Sequence, residues 1–120
     1  MKIELHCHST ASDGTFAPEE LCQKAVDEGV ELFCLTDHDT MQGYDVVKAC
    51  AANKMPVLRG LEFSCELDGF NIHLLMYQVD AQRSGALEQQ LAKMRRERVQ
   101  RMEAMVQKLA DLGHELDLEE

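Results

Sequence analysis

Residues 31–40 read ELFCLTDHDT and combine a short apolar run with three ionisable side chains at its carboxyl end. The run Glu31–Thr36 is typical of a strand that is buried on both faces, as in a parallel sheet. The residues directly after it, Asp37, His38 and Asp39, are of the types that bind divalent metal ions. This stretch therefore predicts a buried strand with ionisable side chains at its own carboxyl end.

Further strands are predicted on both sides of this stretch. Lys2–Leu5 is a short strand candidate, and Pro56–Gly60 (PVLRG) begins a third strand that can continue up to the next turn. Asp68-Gly69 is a two-residue hairpin turn, and Asn71–Val79 is the returning strand.

Three helices are predicted between and after these strands. Pro18 suits the first position of a helix and Gly29 suits its end. A second helix is expected over Met41–Asn53 with Thr40 as its N-cap, and one long helix is expected over Ser84–Leu112. Strands that alternate with helices at this spacing indicate an α/β fold with a mainly parallel sheet.

The composition is that of one globular domain: 120 residues, of which 45% are hydrophobic and 28% charged. No apolar run approaches the ~20 residues of a membrane span, and the N-terminus is not that of a signal peptide, so we expect a cytoplasmic protein. The five cysteines have no zinc-type spacing and argue against a disulfide framework, and Cys22, Cys34 and Cys50 are expected to be small core residues. The net charge of −10 makes the chain a poor partner for duplex DNA.

Metal-ligand residue types recur where each predicted parallel strand ends. His6 and His8 follow the first strand, where residues two apart point the same way, so both can reach one ion. Asp13 follows in a loop that can fold back over the strand end, and Glu62 ends the apolar part of the third strand. The carboxyl ends of parallel strands form the functional face of such folds. Imidazole and carboxylate together suit Zn²⁺, Mn²⁺ or Fe²⁺.

Each of these residues also has an ordinary structural explanation. His73, on the returning hairpin strand, is by itself more typical of a hydrogen-bonded core histidine. Asp13 can simply form a turn with Gly14, and Asp37 or Asp39 can cap the next helix. The coincidence of such residues at successive strand ends favours a metal site over these separate explanations.

The long helix carries a cluster of cations. Five basic side chains lie within nine residues: Lys93, Arg95, Arg96, Arg98 and Arg101. Glu97 and Glu103 can pair with them, so a solvated, ion-paired face is the simpler interpretation. A surface that steers phosphate or contacts RNA is the alternative.

The order and spacing of the motifs resemble those of the PHP (polymerase and histidinol phosphatase) superfamily. The resemblance rests on residues 6–14 (HCHSTASDG), 18–21 (PEEL), 36–40 (TDHDT), 60–64 (GLEFS) and 72–75 (IHLL). Its small bacterial phosphoesterases are the most similar, including 3',5'-nucleoside bisphosphate phosphatases that also act as 5'→3' exoribonucleases.

The resemblance implies a fold and an activity. Residues 1–80 would form the N-terminal strands and helices of a distorted (β/α)7 barrel, and residues 81–120 the start of a helical insertion. The implied enzyme is a metal-dependent phosphoesterase, a hydrolase of phosphomonoesters. Its substrate would be a small nucleotide, such as a nucleoside 3',5'-bisphosphate, or an RNA 5' end. A metal-bridged hydroxide would attack the phosphorus, so no protein nucleophile is required.

The resemblance also implies which residues bind metal. The complete enzyme would hold two or three divalent ions of manganese, zinc or iron. Six residues would bind them: His6 and His8 on one ion, Glu62 as a bridge to a second, His73 on the second, and Asp13 and His38 on a third. Asp37 and Asp39 are then candidates for orienting the ligand imidazoles.

The family supplies further ligands from a C-terminal half that these residues do not contain, and three βα-type units cannot close a barrel of ~200 residues. We therefore expect part of a longer enzyme, inactive as this chain. One alternative is a non-catalytic piece that self-associates through an exposed barrel edge and the long helix. Another is a metal-dependent C–N hydrolase on a similar barrel.

Overall fold

The computed structural model describes residues 1–116 and contains two compact units, Met1–Gly85 and the residues from Ala86 onward. The elements are β1 (Ile3–Glu4), α1 (Pro18–Asp27), β2 (Leu32–Leu35), α2 (Tyr44–Cys50), β3 (Val57–Arg59), β4 (Leu61–Leu67), β5 (Phe70–Met76) and α3 (Gly85–Asp111). The predicted mixed α/β fold is confirmed. Within residues 1–116, no helix is both long and apolar enough to cross a membrane.

The first three strands form a parallel sheet in the order β1-β2-β3, with Ile3 opposite Leu32 and Phe33 opposite Val57. Helices α1 and α2 connect the strands, as parallel pairing requires. The central strand β2 is the most buried of the three, because it has a neighbour on each side. The expectation of a parallel sheet is confirmed for β1, β2 and β3.

The core joins α1 and α2 to β2. Cys22, Phe33 and Val47 are at most 1% exposed, and Ala25, Val30, Leu35, Ala51 and Met55 complete the cluster. Burial raises the pKa of the Cys22 thiol to about 12 and that of Cys34 to about 11. All five cysteines are free thiols in the described part of the chain. Cys22 and Cys34 are buried, as expected of core residues, whereas Cys50 is only partly buried.

The third predicted strand is in fact two strands. β3 pairs with β2 and ends at Arg59, whereas β4 begins at Leu61 and pairs antiparallel with β5. Gly60 lies between them, where a Cβ atom would be 2.5 Å from both Cys34 Sγ and the Met76 carbonyl oxygen. The chain changes its pairing partner at this residue, and only glycine fits there.

The β4–β5 hairpin has the predicted turn. Asp68 and Gly69 have φ values of 52° and 81°, the left-handed pair that a type I′ turn requires. The returning strand ends at Met76 and is therefore shorter than the predicted Asn71–Val79.

The second helix is shorter than predicted, and Thr40 is not its N-cap. The Thr40 hydroxyl accepts a hydrogen bond from the Gln42 N–H group in a turn before the helix, which begins at Tyr44 with Gly43 as N-cap. A Cβ at Gly43 would lie 2.5 Å from Leu35 Cδ2, so the chain passes close to β2 before it can become helical. By contrast, α3 agrees with the predicted long helix to within a residue at each end.

Candidate metal centre

The segment after β1 is held against the end of β2. The Cys7 carbonyl accepts hydrogen bonds from the Thr36 N–H group at 3.0 Å and from its hydroxyl at 3.2 Å. Cys7 packs against the core, and in extended chain its two neighbours point the opposite way. His6 and His8 therefore both project from the carboxyl end of the sheet.

The loop after His8 folds back over the strand end. The Gly14 N–H group donates to the Ser9 carbonyl at 2.9 Å, and a Cβ at Gly14 would overlap the His8 carbonyl. This close approach brings Asp13 Oδ1 to 3.1 Å from His8 Nδ1 and Asp13 Oδ2 to 3.5 Å from His38 Nε2.

Glu62 lies at the centre of the cluster and is 7% exposed. Its Oε2 atom is 2.8 Å from His6 Nε2 and 3.0 Å from His8 Nε2, while its Oε1 atom is 3.0 Å from His73 Nδ1. His38 Nε2 lies 3.9 Å from Oε2. One carboxylate thus faces four imidazoles from three separate segments of the chain.

The six sequence-predicted ligand residues all lie in this cluster. They form three overlapping groups whose ligand atoms are within 4.8 Å of one another: His6, His8 and Glu62; His8, Asp13 and His38; His38, Glu62 and His73. His73 belongs to the cluster, although by itself its sequence position was more typical of a core histidine.

The electrostatics of the cluster favour an ionised carboxylate. Burial alone would raise the pKa of Glu62, but the hydrogen bond with His6 and the electrostatic interactions with His38, His6 and His8 outweigh it and hold that pKa below its ordinary value. Glu62 therefore keeps its negative charge at neutral pH, as a metal ligand must.

Two buried nitrogen atoms test whether a cation fits. Within residues 1–116, His8 Nδ1 and His38 Nδ1 have no hydrogen-bond partner. The 3.1 Å approach of Asp13 to His8 Nδ1 lacks hydrogen-bond geometry, whereas His38 approaches Asp13 and Glu62 through its other ring nitrogen, Nε2. A buried polar atom without a partner costs about 1–3 kcal/mol. Imidazoles clustered around carboxylates are a donor set suited to Mn²⁺, Zn²⁺ or Fe²⁺, so the residues present fit divalent ions.

Asp37 and Asp39, the candidates for orienting the ligand imidazoles, make contacts with serines that the sequence did not predict. Asp37 is 1% exposed and accepts hydrogen bonds from Ser9 and Ser12, and Asp39 is 2% exposed and accepts one from the Ser64 N–H group at 2.7 Å. The three serines are 25 to 28 residues from their aspartates. No local pattern links residues so far apart in the chain.

Tyr77 is a second contact that the sequence did not predict. Its hydroxyl donates to the Leu5 carbonyl at 3.0 Å, directly before His6. The bond ties the chain just after β5 to the end of β1, so the segment that carries His73 is held near the one that carries His6.

Comparison with known families identifies the class of protein. A family model described as "PHP domain" matches residues 4–95. The match covers well over half of the chain, so the chain belongs to the PHP family. The resemblance drawn from its motifs is confirmed.

Two curated relatives match part of the chain. A 5'-3' exoribonuclease of Haemophilus influenzae is 41% identical over 75 residues, which are 62% of this chain and 27% of the relative. A 3',5'-nucleoside bisphosphate phosphatase of Chromobacterium violaceum is 35% identical over 79 residues, which are 65% of this chain and 28% of the relative. The chain thus spans about a quarter of the length of these relatives.

Two solved structures share the fold. A protein of Bifidobacterium adolescentis described as a metal-dependent phosphoesterase gives a TM-score of 0.81 at 28% identity, over 92% of this chain and 39% of its own. An amidohydrolase of Chromobacterium violaceum, with bound sulfate and no metal, gives 0.84 at 32% identity, over 97% and 41%. Both align with nearly the whole described chain.

Proposed function

We propose that this chain supplies the N-terminal metal-binding part of a metal-dependent phosphoesterase. Its substrate would be a phosphomonoester of a small nucleotide, such as a nucleoside 3',5'-bisphosphate, or an RNA 5' end. The names of the two curated relatives support this substrate class. The single observation that carries the proposal is the position of Glu62. Its carboxylate oxygens lie within 3.0 Å of the imidazoles of His6, His8 and His73.

The proposed ligands are the six residues of the cluster, which would hold two or three divalent ions of manganese, zinc or iron. His6, His8 and Glu62 form one group, and Glu62 also belongs to the group that contains His73. Bound divalent ions supply Lewis-acid chemistry, because they lower the pKa of water and stabilise charge that develops on phosphate oxygens.

The chain's own side chains set the charge balance and the accessibility of the proposed site. Ionised Glu62 offsets part of the positive charge that the site would hold, and its position is shared between two ligand groups. The His6 and His73 side chains are 53% and 48% exposed, whereas those of His8 and His38 are 19% and 18% exposed. The His6 and His73 imidazoles are therefore the more accessible pair in this part of the proposed enzyme.

The two predicted parts of the chain have different roles in this proposal. Residues 1–80 would form the first part of a distorted (β/α)7 barrel, and residues 81–120 would begin a helical insertion. Because the chain spans 27–28% of its curated relatives, we propose that residues outside this sequence complete the barrel and the site.

Calorimetric titration tests the proposed substrate class. We expect the Mn²⁺-loaded chain to bind adenosine 3',5'-bisphosphate more tightly than adenosine, because only the bisphosphate offers anionic oxygens to the site. His38→Ala should weaken that binding, and His114→Ala, outside the cluster, should not. Equal affinity for adenosine and for the bisphosphate would contradict the proposal.

A further inference from the structure

We infer that Asp37 is a positioning residue for the metal site, because its buried carboxylate holds the loop that carries His8 and Asp13. That this contact supports a metal site rests on the proposed function. The contact itself rests on hydrogen bonds that do not depend on any metal.

The Asp37 carboxylate receives three short hydrogen bonds from this one loop. Oδ1 accepts from the Ser9 N–H group at 2.6 Å and from the Ser12 hydroxyl at 2.6 Å, and Oδ2 accepts from the Ser9 hydroxyl at 2.7 Å. Ser9 is fully buried and Asp37 is 1% exposed. Bonds to an ionised acceptor away from water are among the stronger hydrogen bonds of proteins.

The two serines are the residues next to the ligands. Ser9 directly follows His8, and Ser12 directly precedes Asp13. Asp37 itself directly precedes His38. One carboxylate therefore fixes the spacing between all three members of the group His8, Asp13 and His38.

Hydrogen bonds within the loop close it into a turn. The Ser12 and Gly14 N–H groups donate to the Ser9 carbonyl at 3.0 and 2.9 Å, and the Ala11 N–H group donates to the Ser9 hydroxyl at 3.1 Å. These bonds shape the turn but do not attach it to the sheet. Asp37 makes that attachment, because it lies directly beyond β2.

Loosening this anchor should affect one metal group more than the others. Asp13 belongs only to the group with His8 and His38, whereas the group of His38, Glu62 and His73 contains no residue of the loop. Residues that support metal ligands typically change metal affinity by about 10- to 100-fold. The effect should therefore be largest for ions that use Asp13.

The variant Ser12→Ala tests this inference, because it removes the 2.6 Å bond to Asp37, together with a 3.5 Å contact to Asp13 Oδ1, while the buried Ser9 contacts remain. Thr10→Ala is the matched control: Thr10 lies in the same loop, is exposed, and makes no side-chain hydrogen bond among residues 1–116. Asp37→Asn is a second variant with a stronger expected effect. Urea denaturation establishes that each variant is folded before it is compared.

The first measurement is amide hydrogen exchange in the metal-free chain. We expect the Gly14 amide to exchange several-fold faster in Ser12→Ala than in the parent or in Thr10→Ala. The second is Mn²⁺ titration followed by electron paramagnetic resonance. We expect about ten-fold weaker binding for one class of ion in Ser12→Ala, with the remaining binding unchanged.

Unchanged Gly14 exchange in both Ser12→Ala and Asp37→Asn would overturn the inference, and so would faster exchange with identical Mn²⁺ affinities. An equal loss of all bound ions would also overturn it, because that result indicates general unfolding of the site. A parent chain that binds no Mn²⁺ would instead contradict the proposed function, and the exchange rates would then decide whether Asp37 holds the loop.

Discussion

His38 lies opposite Glu62 in a parallel bridge that joins the end of β2 to the start of β4. The Asp39 N–H group donates to the Glu62 carbonyl at 2.9 Å, and the Glu62 N–H group donates to the Asp37 carbonyl at 3.1 Å. The backbones of two proposed ligands are thus fixed to each other before any ion binds. A preformed arrangement reduces the cost of ordering ligands around a metal.

Gly14→Ala should destabilise the loop at the metal centre. A Cβ at this position would overlap the His8 carbonyl, so the turn over His8 and Ser9 must open. We expect a loss of about 1–3 kcal/mol in the free energy of unfolding, measured by urea denaturation. Gly85→Ala is the control, because its Cβ would have nothing within 4 Å. Equal unfolding free energies for the two variants would show that the loop tolerates a side chain.

Val47→Ala should destabilise the core of the first unit. Val47 is fully buried in the cluster between α1, α2 and β2, so truncation leaves a cavity. The expected loss is about 1–3 kcal/mol in the free energy of unfolding. Val46→Ala, one residue away on the same helix, is the control: Val46 is 43% exposed, and its truncation should cost less than about 0.5 kcal/mol. Similar losses for the two valines would refute the assigned face of α2.

Stability should fall at alkaline pH because of the buried thiols. Burial raises the pKa of Cys34 to about 11, whereas an unfolded thiol has a pKa of about 8.5. The folded state therefore retains the proton of the Cys34 thiol to a higher pH than the unfolded state does. The stabilising contribution is fully present below about pH 8.5 and is lost as the pH rises towards the folded pKa.

Urea midpoints measured from about pH 7 to about pH 10 test this prediction. Cys34→Ala should reduce the slope of stability against pH, because one raised thiol pKa is removed. A slope that is the same in the parent and in Cys34→Ala would contradict a raised pKa of Cys34 in the folded state.

The 120-residue chain should show little or no turnover of adenosine 3',5'-bisphosphate. Its match covers 28% of the Chromobacterium violaceum phosphatase, and under the proposal that residues outside this sequence complete the site, the chain has only part of the geometry that catalysis requires. Phosphate release in Mn²⁺ buffer, with that phosphatase as the positive control, measures the difference. Comparable rates would mean that another copy of the chain completes the site.

The strand-end pattern predicted the candidate site because it depends on a general rule of parallel sheets. His6, His8 and His38 follow β1 and β2 directly, so the order of elements was sufficient to bring them together. His73 reaches the cluster because it lies on β5 of the β4–β5 hairpin, whose Asp68-Gly69 turn was predicted from the sequence. The resemblance to the PHP superfamily then added the assignment of these residues to particular ions.

The features that the sequence did not predict depend on contacts between distant residues. The apolar run after Pro56 does not show that the chain changes its pairing partner at Gly60. The need for glycine there comes from the close approach of Cys34 and Met76, which are distant in sequence. Thr40 has the residue type of an N-cap, but its hydroxyl accepts from the Gln42 N–H group in a turn, and the helix begins only at Tyr44. Only the folded chain shows such contacts.

The central claim is that Glu62 is the shared ligand of a metal centre. Metal content after incubation with Mn²⁺ and dialysis, measured by mass spectrometry on the parent and two variants, tests it most directly. We predict that Glu62→Gln lowers the metal content by about ten-fold or more, whereas Glu66→Gln, an exposed residue of the same strand, matches the parent. Equal metal content in the parent, Glu62→Gln and Glu66→Gln would contradict the claim.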